Sequence, residues 1–179
     1  ARARLLGGGR ADGGVARGVV SGLADARAGI HRARRSNGDV KPDNVLVESS
    51  REPRLKLVDF GLAGTGRGGT LSYAAPERLE GRPSSSASDC YALGMVLWEM
   101  VHGALPWPEL DRSEALLRRT HRPPKPTLGG TVVRELLEGL LQVDPANRPD
   151  AAWVADRLQR HGLPAPPPNL DLLRRRARS

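Results

Sequence analysis

The chain has almost nothing with which to staple itself covalently: there is one cysteine, Cys90, in 179 residues. An internal disulfide is therefore excluded. A lone thiol inside an apolar stretch fits a reducing compartment, and a small buried hydrophobe rather than a nucleophile. Aromatic residues are also scarce, at 3%, so any core must rest on Leu, Val and Ala. Lysine occurs only at positions 41, 56 and 125, which makes the net charge of +8 an arginine charge. No apolar run approaches the roughly 20 residues needed to span a bilayer. The basic start Ala1-Arg2-Ala3-Arg4-Leu5-Leu6 is not followed by the apolar segment of a secretory signal. The first residue is not Met, which fits a fragment of a longer product.

The length suffices for one domain with a real core. So basic a balance raises nucleic acid as a partner, but the arginines are scattered and no aromatics are interleaved with them. Nucleic acid is not the expected partner, and a basic RNA-associated protein stays as a rival reading.

The most informative stretch runs from Gly38 to Gly61. Gly38-Asp39-Val40-Lys41-Pro42-Asp43-Asn44 leads into the apolar run Val45-Leu46-Val47. A polar turn follows, then Leu55-Lys56-Leu57-Val58 and Asp59-Phe60-Gly61. Two short apolar runs around a polar turn predict a hairpin, which puts Asp39, Lys41, Asn44 and Asp59 at strand ends where side chains can converge. Asp39 could accept a proton from a hydroxyl. Lys41 could neutralise a phosphate, and Asn44 and Asp59 are hard oxygen ligands suited to Mg2+. A base, a cation and two such ligands are the parts that phosphoryl transfer requires.

These residues resemble a known family. Asp39-x-x-x-x-Asn44 is similar to the catalytic loop of protein kinases. Asp59-Phe60-Gly61 resembles their metal-binding triplet, and Ala75-Pro76-Glu77 the end of their activation segment. Asp89 in Ser88-Asp89-Cys90-Tyr91-Ala92-Leu93-Gly94 and Arg148 in Asp144-Pro145-Ala146-Asn147-Arg148-Pro149 match two further signatures in the family's order. The resemblance covers about residues 15–162 and is to the helical lobe only. It implies that Glu77 pairs with Arg148, and that Asp89 ties back to the catalytic-loop backbone. It also implies that Thr70 bonds the catalytic Asp39 and Lys41, as in the Ser/Thr class.

The rest of the chain reads as follows. Residues 1–14 form a flexible Gly/Arg-rich lead-in whose glycines lack the spacing of a phosphate-cradling loop. Val15, Val19, Leu23, Ala26 and Ile30 predict a helix over 15–30. The family pattern is then split, with His31 to Asn37 interposed before Gly38-Asp39; a tolerated bulge and a gene-model error both explain this. Gly38 replaces the Arg with which many family members grip a phosphorylated activation segment, and the segment after Asp59 is short and Gly-rich. Loop phosphorylation is therefore not the expected switch.

A buried helix is predicted over 84–103, with N-cap candidates in Ser84–Ser86 and a stop at Gly103. A short helix is predicted over 113–120, and an amphipathic one on Val132, Val133, Leu136, Leu137, Leu140 and Leu141. Asp150 is expected to cap a last helix through Leu158. Residues 163–179 form a Pro-rich and basic tail.

The expected fold class is thus mainly α (α+β): a kinase-like large C-terminal lobe, residues 15–162, with a small β-hairpin at the active site. Nothing before Asp39 supplies the strand-rich sequence, Gly-rich loop and lysine of the family's N-terminal lobe, which is expected to be missing from this chain. The resemblance implies a protein serine/threonine kinase domain that uses ATP and Mg2+ to phosphorylate Ser/Thr hydroxyls of protein substrates, with the tyrosine-kinase-like group as the subdivision suggested. The alternative is a catalytically incomplete binding module or pseudokinase. The expected location is cytoplasmic, and the basic tail leaves a nuclear one open.

Overall fold

The computed structural model describes residues 40–41, 45–47, 55–57, 71–107, 111–121 and 124–160. In chain order these form β1 (Val45–Val47), β2 (Leu55–Leu57), a 3-10 turn (Leu71–Tyr73), α1 (Pro76–Leu79), α2 (Ser86–His102), α3 (Arg112–His121), α4 (Thr131–Leu140), a second 3-10 turn (Pro145–Asn147) and α5 (Ala151–Arg160). β1 and β2 pair antiparallel. The class is the expected one, mainly helical with a hairpin. The helix expected over 15–30, the split around 31–37 and the tail after 162 lie outside the described residues.

α2 is the axis of this arrangement. Its start is fixed by a reciprocal cap: the Ser88 amide donates to Ser85 Oγ at 3.1 Å, and the Ser85 amide donates to Ser88 Oγ at 2.9 Å. Its end is fixed by Gly103, which turns left-handed at φ 77° and donates its amide to the Glu99 carbonyl. Between these caps every residue from Ser88 to Trp98 is buried, which explains why the sequence shows no polar face there. Cys90 is among them, as expected of a small hydrophobe.

α4 lays its apolar stripe, Val132, Val133, Leu136, Leu137 and Leu140, into the same core. The two helices meet closely at Gly94, where an added Cβ would sit 2.9 Å from Leu140 Cβ and from Leu141 Cδ2. Leu140 Cβ is fixed to the backbone and cannot swing away. Overpacking of this kind costs about 1–3 kcal/mol, and the better helix propensity of alanine returns at most about 1 kcal/mol. Gly94→Ala is therefore expected to lower the melting temperature in a circular-dichroism scan; an unchanged value would contradict this close approach.

Val40 and Ala75 belong to the same core cluster, and Tyr73, Trp107 and Trp153 pack on it partly buried. The core thus reaches from α2 to the loop that precedes β1 and to the segment that precedes α1. α5 starts where the sequence places it, with Asp150 Oδ1 accepting from the Trp153 amide at 2.8 Å. Among the described residues, no helix is long and apolar enough to cross a membrane.

Candidate functional site

The hairpin register sets the geometry of the site. Val45 pairs with Leu57, Leu46 with Lys56 and Val47 with Leu55. β1 therefore begins beside the point where β2 ends. Asn44 is bonded to Val45, and Asp59 follows Leu57 by two residues, so both join the sheet at that one end. On the approach to β1, Val40 is only 4% exposed and anchored in the α2 core, and Lys41 is half-buried. Asp39, Asn44, Asp59 and Thr70 themselves lie outside the described residues. Among the described residues no group of His, Cys, Asp and Glu side chains could hold a metal ion. The side-chain oxygens of Asn44 and Asp59 are of the type that Mg2+ prefers.

The structure brings Glu77 and Arg148 together, although 71 residues separate them. Pro76 opens α1 and Glu77 follows in its first turn. Arg148 is presented by the 3-10 turn Pro145–Asn147, which Asp144 caps by accepting from the Ala146 amide at 2.9 Å. The pairing is a fork on a fork: Nη1 donates to Glu77 Oε1 at 2.6 Å and Nη2 to Oε2 at 2.7 Å. The remaining donors go to the carbonyls of Ala87 at 2.8 Å, Val143 at 3.1 Å and Gln142 at 2.9 Å. All five guanidinium N–H groups are thus used. The Arg148 Cζ also lies 4.9 Å from the centre of the Tyr91 ring. One arginine therefore ties α1, the start of α2 and the chain after α4 into a single unit. Asp89 is buried in the first turn of α2, next to Ser88. Of the catalytic-loop backbone to which the resemblance ties it, only Val40 and Lys41 are among the described residues.

Tyr91 sits fully buried, with the Arg148 guanidinium over its ring. Its hydroxyl has no hydrogen-bond partner among the described residues. Burial pushes its pKa up from 10.0 to about 12, against the opposing pull of Arg119 and Arg148. The folded protein keeps this proton until about pH 12, whereas an unfolded tyrosine releases it near 10. Its contribution to stability is therefore intact below about pH 10 and is lost as the pH climbs towards 12. Tyr91→Phe removes a buried hydroxyl without a described partner, so it is expected to change stability little at about pH 7. It should also flatten the loss between about pH 10 and 12 in urea titrations. An equally steep alkaline loss in the variant would contradict this.

Two residues that sequence reasoning missed stand out. Arg119 of α3 is 3% exposed. It donates through Nη2 to the Ser72 carbonyl at 2.8 Å and through Nη1 to the Ala74 carbonyl. Its Cζ lies 5.8 Å from the Trp107 ring centre, and burial lowers its pKa. Arg112, on the same helix, donates through Nε to the Leu79 carbonyl at 2.7 Å and through Nη2 to the Arg78 carbonyl at 2.9 Å. The seven-residue spacing, about two helical turns, was the available signal that both share a face.

Residues 9–160 match the family described as protein kinase domain. The serine/threonine-protein kinase PkaA of Streptomyces coelicolor is 34% identical, over 79% of this chain and 28% of that protein. The serine/threonine-protein kinase ULK3 of Mus musculus is 34% identical, over 75% of this chain and 31% of that protein. The serine/threonine-protein kinase STY46 of Arabidopsis thaliana is 29% identical, over 73% of this chain and 24% of that protein. The chain spans about a third or less of the length of these relatives.

Proposed function

The chain belongs to the protein kinase domain family, and on that premise we propose that residues 15–162 form the catalytic, substrate-facing lobe of a protein serine/threonine kinase. The observation that carries this reading is the hairpin register, Val45 against Leu57. In sequence, Asn44 directly precedes β1 and Asp59 follows β2 by two residues, at that same end of the hairpin. In this reading Asn44 and Asp59 hold Mg2+, which supplies charge neutralisation at the phosphates of ATP. Lys41 neutralises the transferred phosphoryl group. Asp39 accepts the proton of the substrate hydroxyl, and Thr70 orients Asp39 and Lys41. Glu77, Asp89 and Arg148 keep the surrounding backbone in place. The product is a phosphoserine or phosphothreonine in a protein, and the working compartment is the cytoplasm.

The test is labelled-phosphate transfer from ATP to Ser-, Thr- and Tyr-containing peptide pools by a protein that carries this lobe together with a nucleotide-holding small lobe. Mg2+-dependent label on Ser and Thr, with none on Tyr, is expected. Folded protein without transfer would favour the silent binding module instead. Because Gly38 offers no side chain to grip a phosphate, Thr65→Ala with Ser72→Ala should leave the rate unchanged in the same assay. A large loss would refute independence from loop phosphorylation.

A further inference from the structure

We propose that α3 is a clamp on the segment Leu71–Leu79, and that Arg112 and Arg119 are its two positioning residues. The inference rests on the kinase reading only for what the clamped segment serves, namely the protein substrate.

The geometry is particular. Arg119 takes the carbonyls of Ser72 and Ala74, which flank the end of the 3-10 turn. Arg112 takes the carbonyls of Arg78 and Leu79, at the end of α1. So short a helix has too few internal bonds to satisfy all its last carbonyls; Arg112 gives the Leu79 carbonyl its one donor among the described residues, and gives the Arg78 carbonyl, which also accepts from the Gly81 amide, a second. Both arginines use their planar forks on pairs of carbonyls, a match that an ammonium could not reproduce. α3 is itself fixed, since Ala115 is buried and the Glu114 amide donates to Asp111 Oδ1 at 2.9 Å. From the other side, Arg148 holds Glu77. The segment is therefore gripped at both ends by α3 and in the middle by the ion pair. On the kinase reading, in which Ala75-Pro76-Glu77 closes the activation segment, its fixed backbone would bear on how well the peptide binds more than on how fast phosphate moves.

Hydrogen exchange on the 179-residue chain tests the clamp without nucleotide or peptide. The reporters are the amides of Ala74, Arg78, Leu79, Glu80, Gly81 and Arg82, which all bond to carbonyls within the segment. In Arg119→Gln these amides are expected to exchange roughly tenfold faster while α2 and α4 keep their protection, because local opening is separable from global unfolding. Arg112 is exposed, so Arg112→Gln serves as the variant whose folding is not at stake, and faster exchange at Leu79 to Arg82 is expected there. Unchanged exchange in both variants would overturn the clamp, as would a uniform loss across α2 and α4. In the phosphotransfer assay the same variants should raise the peptide KM severalfold with a smaller change in kcat, and Arg119→Lys should not restore it. A fall in kcat alone would overturn the positioning role. The exchange result is independent of turnover, so failure of the kinase reading and failure of the clamp are told apart.

Discussion

Arg148→Ala is expected to destabilise the fold by roughly 3–5 kcal/mol, because it leaves the Glu77 carboxylate buried without its partner. The side chains of Arg148 and Glu77 are 1% and 7% exposed, so water cannot take over the lost bonds. The same change frees the carbonyls of Ala87, Gln142 and Val143, and it removes the cation stacked on Tyr91. At about 2–4 °C per kcal/mol for a domain of this size, the melting temperature should fall on the order of 10 °C. The pairing is read separately from the burial by a double change, Glu77→Leu with Arg148→Met. Replacing both partners by apolar groups of similar size removes the stranded charge, and such replacements are often neutral. The double variant should therefore melt well above Arg148→Ala. If the two melt alike, the pair is not the source of the loss.

The second large effect is on rate. Asp39→Asn removes the proposed proton acceptor while keeping the shape of the side chain, and is expected to lower kcat by about 10²–10⁴-fold. Its KM for ATP should change little, because Asp39 is assigned to the hydroxyl and not to the phosphates. Asp59→Asn should behave differently. It weakens a proposed magnesium ligand, so activity should be partly regained as Mg2+ is raised. Steady-state rates across a Mg2+ series separate the two. A common response to Mg2+ would contradict the division of roles between them.

How much of this was legible in the sequence depended on the range of the interaction. α2 could be bounded to within about two residues, because the serines Ser84–Ser86 and Gly103 are local signals that act within one turn. The α4 stripe was legible for the same reason, since its period is written in Val132 to Leu140. The Glu77–Arg148 pair spans 71 residues and came only from resemblance to a family, as no local rule links the two positions. Arg112 and Arg119 were not seen at all. Arginine is ordinarily an exposed residue, and nothing near Arg119 reveals that it will meet the carbonyls of Ser72 and Ala74, far earlier in the chain. α1 escaped notice because so short a helix cannot show a period. The proposed site residues Asp39, Asn44 and Asp59 are read from the sequence only as motifs, and they lie outside the described residues.

Asn44 and Asp59 acting at one shared site, at the end of the hairpin, is the claim on which the functional reading stands. It is tested most directly by paramagnetic broadening in the 179-residue chain, with Mn2+ and ATP added at millimolar concentration. The amides around Asn44 and around Asp59 are expected to broaden together, and Asp59→Ala is expected to abolish the effect at both. Broadening at one of them without the other, or spread over unrelated surface carboxylates, would contradict it.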